Sequence, residues 1–312
     1  MPSPLIRTFS YHAREKYGHA VGKIPVDLGQ QCPNRLNGGC IFCRPASFTP
    51  SYLHTTDELP RQVAAGKKQL LKGRFNKYFA YFQQETCTAL PVSRLLPVFR
   101  LLLADTDCIG LILSTRPDYI SERLLSPLAD LIKVTGKECL FELGLQSVHE
   151  RSLRLLNRNH GFAAFQDAAG LIKGAGCFEL GAHLIFGIPG ESEEDMLSSV
   201  TTVCRLGVNA LKLHHLQIIR ETPLQKLFEQ GTAAVFSLEA YLQFLLRVLP
   251  IIPIEVTIHR LWATAHPALL IAPRWNVLAG RLSEVLRAKM VETGIRQGQG
   301  AAVAAVSLSA GL

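Results

Sequence analysis

No run of about 18 uncharged apolar side chains, the length a helix needs to cross a bilayer, occurs in the 312 residues. The first 16 residues carry Arg7, Arg14 and Lys16 but no apolar stretch of the kind a secretion signal requires. The expected location is therefore the cytoplasm, with no membrane partner. Cysteine is sparse: eight thiols at uneven spacing, with nothing to route the chain to an oxidising compartment, argue against a disulfide framework. Disorder is excluded because 48% apolar and 19% charged residues supply enough core to offset chain entropy. Acidic residues are scarce at one end only. Residues 1–80 hold 4 acidic against 12 basic side chains, whereas the remainder holds 21 of each. The excess of +8 thus lies in the first quarter, densest at Lys67, Lys68, Lys72, Arg74 and Lys77. Such a run suits a footprint for a polyanion or a solvated helix face.

What is present is a repeating alternation. Strands are expected at Ile24 to Leu28, Lys77 to Gln83, Ile109 to Ser114, Cys139 to Gln146, Leu180 to Ile188 and Ala210 to Gln217, with a weaker one at Ile254 to Ile258. Amphipathic helices fall between them at Leu59 to Leu71, Val92 to Leu103, Ser121 to Lys133, Phe162 to Lys173 and Ser192 to Arg205. Steps of this length suit parallel strands joined by crossover helices, so six βα units point to an α/β fold, a partial TIM-type (β/α)6 barrel. Chemistry should gather at the C-terminal ends of its strands. The expected organisation is a core over residues 1–235, a small C-terminal α/β extension over 236–296 packed on it, and a flexible tail over 297–312.

The sharpest local signal is QCPNRLNGGCIFCRPASF, where Cys32, Cys40 and Cys43 follow the first expected strand with the spacing C-x7-C-x2-C. Thiolates are soft ligands that select zinc, copper(I) or iron–sulfur clusters. Zinc would require a fourth ligand, for which His54 is the nearest downstream candidate. In a 4Fe–4S cluster a three-thiol set would leave one iron open to a substrate. Cys108, Cys139, Cys177 and Cys204 read as small core hydrophobes, while Cys87 lies on the functional rim of the second strand. Downstream of the GIPGE turn, Ser192 with Asp195 three residues on reads as a helix N-cap, which accounts for the acids there.

The cysteine loop, with Phe42 before its last thiol, resembles the cluster loop of radical S-adenosylmethionine (SAM) enzymes. KIPVDLGQQCPNR, YFAYFQQET, STRPDYI, FELGLQSVHERSLRLLNRNH, GAHLIFGIPGES, LKLHHLQIIRETPL and TIHRL, in that order, narrow the resemblance to the YhcC/YtqA-like branch, relatives of the elongator catalytic subunit. The resemblance implies that Cys32, Cys40 and Cys43 hold three irons of a 4Fe–4S cluster and that the fourth takes the amino and carboxylate groups of SAM. It further implies that Phe42 packs beside the adenine, that Gln83 and Glu85 lie where the methionine ammonium binds, and that Glu142 and Gln146 reach the ribose. His183 and His214 would line the pocket, and the turn at Gly187 and Pro189 would approach the adenine. The implied substrate is a transfer RNA, modified on a wobble uridine side chain, and the implied electron donor is a flavodoxin or ferredoxin. A small molecule or a protein as substrate, and a zinc-stabilised RNA-binding module without catalysis, are the competing expectations. Where the family's second-strand phrase continues with Tyr and Asn-Thr, this chain has Glu85 and Cys87-Thr88, so the cofactor chemistry transfers more directly than the substrate.

Overall fold

Alternating residues decide how each strand sits, because successive side chains leave a sheet on opposite faces. In the computed structural model, which describes residues 4–54 and 56–300, seven such strands form one parallel sheet. In order across it they are β1 (Val21–Pro25), β2 (Lys77–Phe82), β3 (Cys108–Thr115), β4 (Glu138–Gln146), β5 (Glu179–Phe186), β6 (Ala210–His215) and β8 (Thr257–Arg260). The sheet curls into a half-barrel, the α/β architecture expected. Six βα units and a weaker seventh strand at Ile254 to Ile258 were expected; the seventh strand is observed three residues further on at its start, at Thr257–Arg260, and pairs with β6. A short antiparallel pair, β7 (Ile218–Ile219) with β9 (Leu270–Ala272), stands apart from the sheet.

The outer face is apolar. Tyr78, Ala80 and Phe82 of β2, Leu111 and Leu113 of β3, and Phe141, Leu143 and Leu145 of β4 pack under helices α3 (Val92–Leu103), α4 (Glu122–Thr135), α6 (Phe162–Gly174) and α7 (Glu193–Arg205). The inner face is layered from bottom to top. Its lowest layer, Val21, Phe79, Ile112, Leu140 and Ala210, closes around Ala13 of α1 (Phe9–Tyr17), with Phe9 and Tyr17 packed against it. Helix α1 thus stoppers the N-terminal end of the barrel. One residue pair further along each strand the interior turns polar, with Lys23, Tyr81, Ser114, Glu142, His183 and Lys212.

The chain ends join the same edge. Ile258 N donates to Arg7 O at 2.8 Å, and Gln297 N donates to Leu5 O at 3.0 Å. Gln297, expected to begin a flexible tail, is buried, accepts from Arg7 N and donates to Pro253 O and Val256 O, because its amide satisfies backbone groups of the N-terminal segment and of the turn that leads into β8. The packed chain therefore runs on to Gly300; the rest of the expected tail, 301–312, lies outside the described residues. No helix among the described residues is long and apolar enough to cross a membrane.

Candidate active site

A cavity of about 250 Å³ opens at the C-terminal ends of the strands. Cys32, Cys40 and Cys43 line it together with Phe42, Gln83, Glu85, Glu142, Gln146, His183 and His214, so ten of the twelve site residues expected from the sequence converge on one place. Gly187 and Pro189 do not. Gly187 takes φ +88°, gives its N–H to Met196 Sδ, and a Cβ there would meet the Phe236 ring at 3.1 Å. Packing against the C-terminal region accounts for this glycine. His54, the nearest downstream candidate for a fourth ligand had the site been zinc, is exposed and is not part of the cavity wall. Cys87 is buried in the outer core with its thiol pushed up to about 12 by burial, which makes it a packing residue.

The cluster loop is held by side chains that the sequence did not mark. Gly38 and Gly39 take φ +85° and +73°, which lets the loop fold back so that Gly39 N reaches Asn34 O. Asn34 is 2% exposed and donates to Cys40 Sγ at 3.2 Å and to Asn157 O at 2.7 Å. Thr86 Oγ1 donates to Cys32 Sγ at 3.2 Å, and Arg158 Nη1 to Cys40 Sγ at 3.1 Å. Asn157 Nδ2 clamps the loop carbonyls of Asn37 and Gly39. Gly144 makes room for Arg158, which also donates to its carbonyl, and Arg116 fixes the Arg158 and Asn159 carbonyls from below. Two of the three sulfurs thus already receive N–H or O–H donors, an arrangement that suits metal-bound thiolates. Burial, with the Cys40 thiol and Glu85 adding to it, pushes the Cys43 thiol up to about 12, a penalty that a bound cation removes. Among the described residues no three Cys, His, Asp or Glu side chains are grouped as a single bound metal ion would need.

Two expected cofactor acceptors are already engaged. Glu85, in the left-handed region at φ +54°, accepts from Cys32 N at 2.9 Å and pairs with Arg35 at 2.9 Å. It fastens the cluster loop to β2, because Arg35 supplies the counter-charge that a free ammonium would otherwise provide. Glu142, 1% exposed, accepts from Ser114 Oγ at 2.8 Å and Lys212 Nζ at 2.5 Å, and lies 2.9 Å from His259 Nδ1 and 3.3 Å from His183 Nε2. Burial alone would push its carboxyl up; Lys212, Lys23 and the two histidines outweigh that and hold it well below the usual carboxylate range. Burial and the Lys212 charge bring His183 down to about 4, and burial with Lys23 brings His259 to about 3, so both imidazoles are neutral. Lys212 and His214 alternate with Leu211 and Leu213, which face the helices, and so point inward; His215 packs on Trp275 with ring centroids 4.1 Å apart and the planes tilted by 37°.

The basic run expected as a polyanion footprint lies elsewhere. Lys77 begins β2, whereas Gln83 and Glu85 follow its end, so the run sits at the pole opposite the cavity. Lys67 pairs there with Asp105 and Asp107, and Lys77 with Asp107.

Comparison with known proteins agrees with this geometry. The chain is 34% identical over 297 residues to the uncharacterized protein YtqA of Bacillus subtilis, covering 94% of this chain and 91% of that one. It is 29% identical over 194 residues to Elongator complex protein 3 of Homo sapiens, covering 61% of this chain and 34% of that protein. The fold matches the solved structure of the archaeal Methanocaldococcus infernus Elp3 with an N-terminal deletion at a TM-score of 0.67 and 20% identity, over 89% of this chain and 64% of that one. The chain therefore spans less than two thirds of both elongator-type proteins. Residues 208–292 match the Radical_SAM C-terminal domain and residues 28–203 the Radical SAM superfamily, and the chain belongs to that superfamily of enzymes, which work with a 4Fe–4S cluster and S-adenosylmethionine.

Proposed function

We propose that Cys32, Cys40 and Cys43 bind three irons of the cluster, that the fourth is open to SAM, and that the substrate is a transfer RNA modified on a wobble uridine side chain. The observation that carries the first part is the convergence of the three thiols, two of them with sulfur-directed donors, on the mouth of a cavity at the strand ends. When bound, the cluster and SAM supply a radical able to abstract hydrogen from an unactivated position. The chain's own residues do the rest. Asn34, Thr86 and Arg158 orient the sulfurs; Arg35 and Glu85 tie the loop to β2; Phe42 offers a flat apolar surface beside the last thiol. Gln83, Gln146 and His183 are the polar groups of the wall that can meet the amino acid and ribose parts of the cofactor. The apolar layer around α1 closes the barrel beneath the floor, so water has no route to the site from that end.

The transfer RNA assignment rests on the relation to elongator-type proteins, with a flavodoxin or ferredoxin as electron donor; the basic run at the far pole adds nothing to it. Anaerobically reconstituted protein with reductant is expected to cleave SAM to methionine and deoxyadenosine, and Cys40→Ala to abolish this. Mass spectrometry of nucleosides from transfer RNA of a deletion strain tests the substrate. Unchanged uridine derivatives would overturn the RNA assignment in favour of a small molecule or protein, while intact SAM after full reconstitution would overturn the chemistry.

A further inference from the structure

The floor of the cavity carries more positive charge than its carboxylate answers. Lys212 and Glu142 already pair with each other, Lys23 stands 3.8 Å from the same carboxylate with its amine brought down to about 7 by burial, and Arg260 is a further cation near Lys23, His183 and His214. Arg260 is aimed there by an irregularity in the sheet. The β6–β8 pairing shifts register between Leu211 and Lys212, so that Leu211 faces Ile258 while Lys212 faces Arg260. That slip lets His259 turn in to Glu142 and Arg260 turn in beside Lys212, the re-aiming that bulges accomplish near active sites. Among the described residues no acceptor hydrogen-bonds the Arg260 guanidinium and no partner hydrogen-bonds the His214 ring, yet both line the cavity. Lys212 spends its N–H groups on Tyr81 and Glu142 and has one left. A guanidinium next to an ammonium in a concave, half-dry site is repelled by its neighbour and poorly solvated, and an anion removes both costs.

We infer that the cavity floor is an oxyanion subsite, in which Arg260, Lys212 and His214 take a carboxylate or phosphate group of the substrate. Arg260 supplies the planar fork that such groups accept from, and Lys212 a point charge. The neutral His214 ring supplies one further donor. The inference rests on the reading of this cavity as the place where substrate meets cofactor, and it adds that whatever enters presents an acidic group to β6 and β8.

The test is isothermal titration calorimetry of the full-length, anaerobically reconstituted protein with inorganic phosphate and with malonate as probes. Saturable binding of one probe is expected, with phosphate preference indicating a phosphoryl group and malonate preference a carboxylate. Arg260→Gln is expected to weaken that binding at least about tenfold, a loss of about 1.4 kcal/mol, and Arg260→Lys to fall between. Thermal melting of both variants checks that they fold, as expected for a side chain without internal hydrogen bonds. Lys68→Gln, on the basic run at the far pole, should leave binding unchanged. Absence of saturable binding, undiminished binding in Arg260→Gln, or loss in Lys68→Gln would overturn the inference. So would full displacement of the probe by S-adenosylmethionine, which would give the site to the cofactor's own carboxylate. None of these readouts requires SAM cleavage, which is measured separately and reports on the proposed chemistry.

Discussion

A carboxylate buried as Glu142 is remains tolerable only while its neighbours answer its charge. Lys212 is 4% exposed and gives Glu142 its closest ion pair, so Lys212→Met leaves that charge short of its main partner. Breaking such a buried pair typically costs about 3–5 kcal/mol, and urea denaturation of Lys212→Met should show a loss in that range. Lys23 behaves differently. Burial, only partly offset by Glu142 and reinforced by Lys212 and Arg260, brings its amine from 10.5 down to about 7. Below pH 7 both folded and unfolded chains hold that proton and the burial cost is fully felt. Above it the folded chain releases the proton while the unfolded chain keeps it until the ordinary lysine range, so the native state gains stability as pH rises. The stability difference between Lys23→Met and the native chain should therefore move in favour of the native chain as pH is raised from 7 to 10, as measured by denaturant midpoints. A flat or opposite trend would refute the depressed amine. At this scale the three thiols were legible because soft donors in a glycine-rich loop have few other uses. Asn34, Thr86, Asn157 and Arg158 were not, although NRNH was part of the family resemblance. Their contacts join positions as far apart as 123 residues, and no local pattern encodes which amide will face a sulfur.

Among elements, α7 shows how a short sequence signal becomes geometry. Ser192 accepts from Asp195 N at 3.2 Å and Asp195 accepts from Ser192 N at 2.8 Å, completing the capping box expected from the sequence. Ser192→Ala should lower stability by about 1 kcal/mol in urea unfolding without altering the strand that precedes the helix. The amphipathic period also placed α3 at Val92–Leu103, α6 within a residue of its observed end, and the strands β2 to β6 within about two residues of their bounds. The first strand lies three residues earlier than expected, at Val21–Pro25, because pairing with Lys77–Tyr81 sets its register. Alternation alone cannot fix register where apolar residues flank both candidates. The Gly187 turn misled for a related reason: a positive φ marks a close approach, and the approaching group here is Phe236.

For the whole molecule, the boundary near residue 235 does not mark a detachable appendage. β8 completes the sheet beside β6, α9 (Leu238–Val248) contributes Tyr241, Leu245 and Val248 to the outer core, and Arg7 and Leu5 hydrogen-bond to Ile258 and Gln297 across the same edge. A chain ending at residue 235 should expose β6 as a bare edge, lose cooperative thermal unfolding and aggregate, which size-exclusion chromatography and calorimetry would detect. The alternation of strand and helix patterns foretold the α/β class, and the length of the steps its parallel sheet. The seventh strand was the faintest because it is four residues long and borrows its place from contacts with both chain termini.

Helix α1 corks one end of the barrel, and its apolar underlayer stands directly beneath the charged floor. Such a vessel fills and empties through its lip. Whatever rests on the bottom enters and leaves past the strand ends and the three thiols that border them.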